Sequence, residues 1–280
     1  MAVRFRAFDT ACELLLPTMV HERALELGAI VAQEAWRIEH KLALDREEGA
    51  AGWIHRSRGT EVKVDPETAA LIDFAKQCFE LSDGLFDITA GVLRQVWTFD
   101  GSDRVPPQAA VAAVLPLVGF AKVQWRAPRL TLPVGMQLDL AAFGTAYAAD
   151  RSSELLAGRR AGPFLVNFGG DVRARGKPPR GRWQVAVEGA QGAAAQVLQL
   201  EHGALTTRGE PRRYLEKDGV RYPAVLDPRT GWPVAHAPRA VTVAARSCME
   251  AGLVATLALL NGARARPFLE EQSLRYWLLE

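Results

Sequence analysis

Apolar residues recur at every third or fourth position from Ala24 through Leu27, Ile30, Val31, Ala35 and Ile38 to Leu42, with Glu22, Arg23, Glu26, Glu34 and Arg37 on the other faces. That spacing predicts a long amphipathic helix with one buried stripe. Ahead of it, residues 3–16 alternate well enough to predict a strand, ended by Pro17. Residues 49–59, bounded by glycines, predict a loop. At Asp65-Pro66 a second helix is expected, the carboxylate accepting free backbone N–H groups and proline occupying the first helical position. Its stripe is Leu71, Ile72, Ala75, Cys78 and Phe79, and Ser82-Asp83-Gly84 stops it. From about residue 120 the pattern changes to short apolar segments punctuated by Gly and Pro, with helical periodicity at 145–158 and 248–261. Lys217-Asp218-Gly219 between Arg212–Glu216 and Val220–Val225 predicts a tight hairpin, and 189–195 predicts a loop.

The chain has 280 residues, 49% of them hydrophobic, enough for one large domain with a sizeable core. One domain over 1–280 is expected, with lobes of roughly 1–120 and 121–280. Charges nearly cancel, 34 basic against 32 acidic, so no global field points to nucleic acid or an anionic membrane. Cys12, Cys78 and Cys248 are odd in number and far apart, which argues against a disulfide framework and fits a reducing cytoplasm. Arg4, Arg6 and Asp9 interrupt any signal-like apolar run, and no stretch approaches the ~18 apolar residues of a membrane span. Neither nucleic acid nor a membrane is an expected partner, and a cytoplasmic location is expected.

Five histidines without H-x-x-x-H spacing, and the lack of G-x-S-x-G and G-x-G-x-x-G, exclude metalloprotease, serine hydrolase and Rossmann readings. Gly170 to Lys177 is not a P-loop, since five residues separate its glycines and Pro178 stands where Ser or Thr should hold the metal. Arg173, Arg175, Lys177, Arg180 and Arg182 suggest an exposed, basic strand face or, less plainly, a phosphate- or nucleic-acid-binding strip. In Asn167-Phe168-Gly169-Gly170-Asp171, paired glycines offer close approach to bare backbone and Asp171 an acceptor, although a plain turn has the same composition. Asp227-Pro228-Arg229-Thr230-Gly231 reads as a dense turn, and Asp87 as a helix cap.

Taken in order, six segments resemble the ApbE family of FAD:protein FMN transferases. Ser82 to Gly91 resembles SDGxFDxTxGPL, with Trp97 at that segment's tryptophan; Leu138 to Asp150 is similar to LDLGGIAKGYAVD; and Asn167 to Asp171 resembles NxGGD. Ala204 to Gly209 is an altered ATSGD, Tyr222 to Gly231 an altered YSHIIDPRTG, and Met249 to Thr256 resembles MEADALAT. The resemblance implies an α+β fold related to the T-fold, two-lobed, with mixed or antiparallel sheets and packed helices. It further implies FAD as the bound nucleotide, Mg²⁺ assistance, a flavoprotein acceptor as partner, and transfer of FMN to a threonine hydroxyl with release of AMP.

Carried over position by position, the resemblance places flavin contacts at Leu85, Phe86, Asp87, Asp139, Thr145, Asn167, Gly169, Gly170, Asp171, Leu226 and Asp227, and metal contacts at Ala142 and Thr256. No catalytic residue is assigned. Gly252 stands at the family's metal aspartate, Thr145 at its lysine or glutamate, Pro223 and Ala224 at its serine and histidine, and Arg208 at the serine of TSGD. Losing hard oxygen ligands and charge-compensating groups predicts reduced or lost turnover. The alternatives are a non-catalytic flavin-binding or delivery protein, and a scaffold whose cleft is filled by Phe8, Phe143 and Arg208. Arg208 could also neutralise a pyrophosphate directly, because guanidinium matches phosphate oxygens bidentately.

Overall fold

The computed structural model describes residues 1–188, 194–209 and 214–280. From the N-terminal side, strands β1 (Ala2–Ala7) and β2 (Thr10–Leu15) lead into helices α1 (His21–Leu42) and α2 (Ala50–Arg56), strand β3 (Val62–Lys63) and helix α3 (Pro66–Leu81). A 3-10 helix over Ile88–Gln95 and helix α4 (Gln108–Val114) precede strands β4 (Gln124–Arg126) and β5 (Arg129–Thr131) and helix α5 (Gly144–Gly158). Strands β6 (Phe164–Phe168), β7 (Asp171–Arg175), β8 (Trp183–Glu188), β9 (Ala194–Leu200), β10 (Gly203–Arg208), β11 (Tyr214–Lys217), β12 (Val220–Pro223) and β13 (Ala240–Ala245) follow. Helices α6 (Cys248–Leu260) and α7 (Ala265–Glu271) and strand β14 (Arg275–Leu279) complete the order.

Seven strands form one antiparallel sheet in the order β1-β2-β6-β7-β10-β13-β14. Alternation along each strand assigns its two faces. In β6, Phe164, Val166 and Phe168 join the main core with Leu27, Val31 and Ile38 of α1 and Leu156 of α5, whereas Leu165 turns to the opposite face, where Trp183, Leu198 and Leu200 of the β8–β9 hairpin cover it. Val241 and Val243 of β13 pack under α6 and α7. This mixture of antiparallel sheets and packed helices is the α+β architecture expected.

The helix starts and stops largely follow the sequence. Asp65 accepts hydrogen bonds from the N–H groups of Glu67 and Thr68, and α3 ends at Leu81. Three expectations are corrected. Residues 3–16 are not one strand but a hairpin, because Phe8 and Asp9 both take positive φ (54° and 55°) and reverse the chain. Residues 49–59 are not a loop throughout, since Ala50–Arg56 is helical. Gly49 and Gly52 are required there by close approach, as a Cβ on either would strike the carbonyl oxygens of His40 and Arg46.

The basic run 173–182 is likewise not one strand face: β7 ends at Arg175, and Lys177 and Arg182 pair with Glu201 at 3.2 and 2.6 Å. Arg173 lies 3.3 Å from Asp150. The loop expected at 189–195 falls mainly outside the described residues, as do residues 212–213 of the expected hairpin. The remainder of that hairpin, β11 and β12 around Asp218 and Gly219, forms as expected. No helix among the described residues is long and apolar enough to cross a membrane.

Candidate functional site: a cleft beside the 3-10 helix

A cleft of about 640 Å³ is lined by four parts of the chain: one edge of the segment from Leu85 to Phe99, Asp139 with Ala142, Arg208 and Gly209 at the end of β10 with Ala224 to Leu226 and Pro228, and Thr256, Leu259 and Leu260 of α6. In a 3-10 helix residues three apart are eclipsed, so one edge carries one set of side chains. Ile88, Gly91 and Arg94 share such an edge, continued by Trp97, and all four line the cleft. Asp87 nucleates the helix: its carboxylate accepts from the Thr89 N–H at 2.7 Å, the Thr89 hydroxyl at 2.6 Å and the Phe120 N–H at 2.9 Å.

Asp139 is buried against this edge. Its N–H donates to the Ile88 carbonyl at 2.8 Å, and the Arg94 guanidinium pairs with its carboxylate at 2.8 Å. Gly91 makes the approach feasible, because a Cβ there would come within 2.7 Å of the Asp139 Cβ. The third wall hangs from a turn in which Gly231, at φ 72°, donates its N–H to the Asp227 carbonyl at 2.8 Å. Burial raises the Asp227 pKa, but bonds from Arg229 outweigh it and hold the carboxyl below its ordinary value. Trp97 donates its indole N–H to the Gly231 carbonyl at 2.8 Å, pinning this turn to the 3-10 segment. The indole also lies parallel to Phe99 (5.6 Å, 2°) and meets Trp232 edge-on (5.3 Å, 80°).

Helix α6 is oriented from its N-terminus. Asp150 accepts from the N–H groups of Cys248 and Met249, both at 3.0 Å, while burial pushes its own pKa upward. Ser247 caps the helix, its hydroxyl accepting from the Glu250 N–H, while the Glu250 carboxylate accepts from the Arg246 N–H. One turn before Thr256, Gly252 faces Arg208: a Cβ built on Gly252 would lie 2.9 Å from the guanidinium Nη2. Arg208 Nη1 donates to the fully buried Asp171 at 2.9 Å and to the Thr207 carbonyl at 3.2 Å.

Of the residues carried over from the resemblance, Leu85, Phe86, Asp87, Asp139, Ala142, Leu226 and Thr256 line this cleft. Thr145, Asn167, Gly169, Gly170, Asp171 and Asp227 are not among its lining residues. Thr145 sits in the first turn of α5, Asn167 caps its own hairpin by accepting from the Gly170 N–H at 3.0 Å, and Asp171 lies behind Arg208. Phe143 stacks on Phe86 (5.6 Å, 24°), and the Phe8 ring approaches the Cβ position of Gly144 to 3.0 Å. Neither is a lining residue, so of the three side chains expected to fill the cleft only Arg208 borders it. Arg94 and Phe99 were missed; the i, i+3 series from Ile88 to Trp97 is the signal that finds Arg94.

A Mg²⁺ ion needs near-octahedral oxygen ligation. Here Ala142 offers no side-chain oxygen, only its backbone carbonyl, and the Thr256 hydroxyl donates back to the Gly252 carbonyl at 2.8 Å. Glu250 is committed to the start of α6 and lies six residues, about 9 Å of helical rise, from Thr256. Asp171 pairs through one oxygen with Arg208, whose positive charge stands over Gly252, and its other oxygen is buried away from the cleft without a partner among the described residues. These residues do not fit a divalent cation at this point.

The ApbE family model matches residues 8–278. The chain belongs to the ApbE family. It is 27% identical over 290 residues to the FAD:protein FMN transferase of Haemophilus influenzae, covering 94% of this chain and 83% of that protein. With the FAD:protein FMN transferase of Salmonella typhimurium the identity is 31%, covering 79% of this chain and 65% of the relative. The crystal structure of the ApbE protein from Thermotoga maritima superimposes with a TM-score of 0.87 at 26% identity, covering 99% of this chain and 93% of that one. This ApbE-family chain therefore shares the fold of that structure over nearly its whole length.

Proposed function

We propose that this chain binds FAD in the cleft beside the 3-10 helix and transfers its FMN half to a threonine hydroxyl of a flavoprotein acceptor. The observation that carries the reading is the cleft's composition. Leu85, Phe86, Trp97, Phe99 and Leu226 supply apolar and aromatic surface for a flat ring system, and Arg94 and Arg208 supply two guanidinium groups for an anionic pyrophosphate. Transfer joins the threonine oxygen to the phosphorus of the FMN half, breaks the pyrophosphate bond and expels AMP, the hydroxyl proton leaving to solvent. Charge spreads over phosphoryl oxygens along this path, so fixed positive groups stabilise it.

A second reading, flavin binding without transfer, draws on the state of the cleft's acidic groups. Asp87 is occupied by three hydrogen bonds and Asp139 by Arg94, and Ala224 lines the wall where a histidine belongs by the resemblance. Among the described residues, no lining carboxylate is thus poised as a proton acceptor. Incubation with FAD and a threonine-bearing flavoprotein domain separates the readings. Release of AMP with the mass of FMN added to the acceptor supports transfer. Bound FAD without AMP supports the carrier, and failure to bind FAD overturns both.

A further inference from the structure

We propose that in this chain the Arg208 guanidinium takes the place of the divalent cation at the phosphate end of the cleft, so that FAD is bound without metal. The inference rests on the FAD-binding reading and deepens it. Gly252 and Arg208 form one linked feature. A Cβ at 252 would come to 2.9 Å from Nη2 and 3.4 Å from Cζ of Arg208, so a side chain at 252 and the guanidinium in its present position compete for the same space. Glycine in a helix interior costs about 0.5–1 kcal/mol relative to alanine. Gly252 lies well inside α6, buried, and the guanidinium beside it gives that glycine a physical reason.

The guanidinium is held rather than loose. Asp171, fully buried, accepts from Nη1 at 2.9 Å, the Thr207 carbonyl accepts from the same nitrogen, and the side chain retains 22% exposure at the cleft. Its planar fork matches two phosphate oxygens. Around it, among the described residues, the side-chain oxygens a cation would use are few: Ala142 and Gly252 carry none, and the Thr256 hydroxyl donates into its own helix. The same point in the cleft is therefore cationic by virtue of a covalently attached group.

Calorimetric titration with FAD in EDTA and in Mg²⁺ tests this directly. The native protein is expected to bind FAD with the same affinity in both, and Arg208→Gln to bind FAD about 10- to 100-fold more weakly. Riboflavin, which lacks phosphate, is the control for misfolding: its affinity should be unchanged in Arg208→Gln. The double change Arg208→Ser with Gly252→Asp should make FAD binding respond to Mg²⁺. Tenfold tighter FAD binding by the native protein in Mg²⁺, or equal FAD affinity in native and Arg208→Gln proteins, overturns the inference while leaving the FAD-binding reading intact. Equal losses for FAD and riboflavin in Arg208→Gln would overturn the direct phosphate contact. Absence of FAD binding in either buffer defeats the cleft reading itself.

Discussion

Trp97 and Trp36 make the same kind of hydrogen bond in opposite surroundings, and replacing each by phenylalanine isolates what burial adds. Trp97 is 2% exposed and donates to the buried Gly231 carbonyl at 2.8 Å; Trp36 is 49% exposed and donates to the Arg6 carbonyl at 2.8 Å. In Trp36→Phe, water replaces the lost donor, so the cost is below about 1 kcal/mol. Trp97→Phe strands a buried acceptor, about 1–3 kcal/mol, and leaves a void beside Val92, Leu93 and Val111 worth about 1–2 kcal/mol. The expected total of about 2–5 kcal/mol corresponds to a fall in Tm of about 3–9 °C for a chain of this size. Because the Gly231 turn carries Leu226 and Pro228 to the cleft, FAD affinity should fall in Trp97→Phe and not in Trp36→Phe. Thermal melts and FAD titrations on both variants provide the comparison. Equal Tm shifts, or unaltered FAD binding in Trp97→Phe, would refute the assignment of Trp97 as the tie between the two walls.

Three further outcomes are expected. Gly91→Ala places a Cβ 2.7 Å from the Asp139 Cβ, so it should destabilise by about 1–3 kcal/mol and weaken FAD binding, read by melts and titration. Bonds from Arg37 hold the Glu67 carboxyl well below its usual range despite partial burial, with Lys41 and Tyr147 assisting. A lowered folded pKa stabilises above the unfolded value of about 4.3. The Tm advantage of the native protein over Glu67→Gln should be constant above about pH 5 and shrink as pH falls through the folded value; an advantage that persists undiminished to the lowest pH contradicts the ion-pair account. Burial pushes the Cys12 thiol to about 11, the Cys78 thiol to about 12 and the Cys248 thiol well above its ordinary value. A thiol reagent at pH 8 should therefore label none of the three in the native state and all three after denaturation, and rapid native labelling would contradict the packing.

The features legible in the sequence are those governed by neighbours along the chain. Asp65-Pro66 needs only its own N–H groups to start α3, and Gly169-Gly170 and Asp218-Gly219 need only their own torsional freedom to reverse direction. The β1–β2 hairpin escaped because Phe8-Asp9 lacks the glycine that usually marks such a turn, although both residues adopt positive φ. Helix α2 escaped because its glycines signal a loop by composition, whereas they serve close packing against the carbonyls of His40 and Arg46. The cleft was legible in part: Leu85 to Asp87, Asp139 and Leu226 fall on it. The relation between Arg208 and Gly252 was not, because each is an isolated departure until β10 and α6 pack together and bring the guanidinium over the bare helix backbone.

A crystal structure of the native protein with FAD, grown with Mg²⁺ present, tests the central claim most directly. The account predicts the ring system against Phe86, Trp97 and Leu226, with a pyrophosphate oxygen within hydrogen-bonding distance, about 3 Å, of the Arg208 guanidinium and no metal bridging it to Thr256. A Mg²⁺ ion seated between the pyrophosphate and Thr256 with Arg208 displaced from Gly252, or FAD bound elsewhere on the chain, would contradict it.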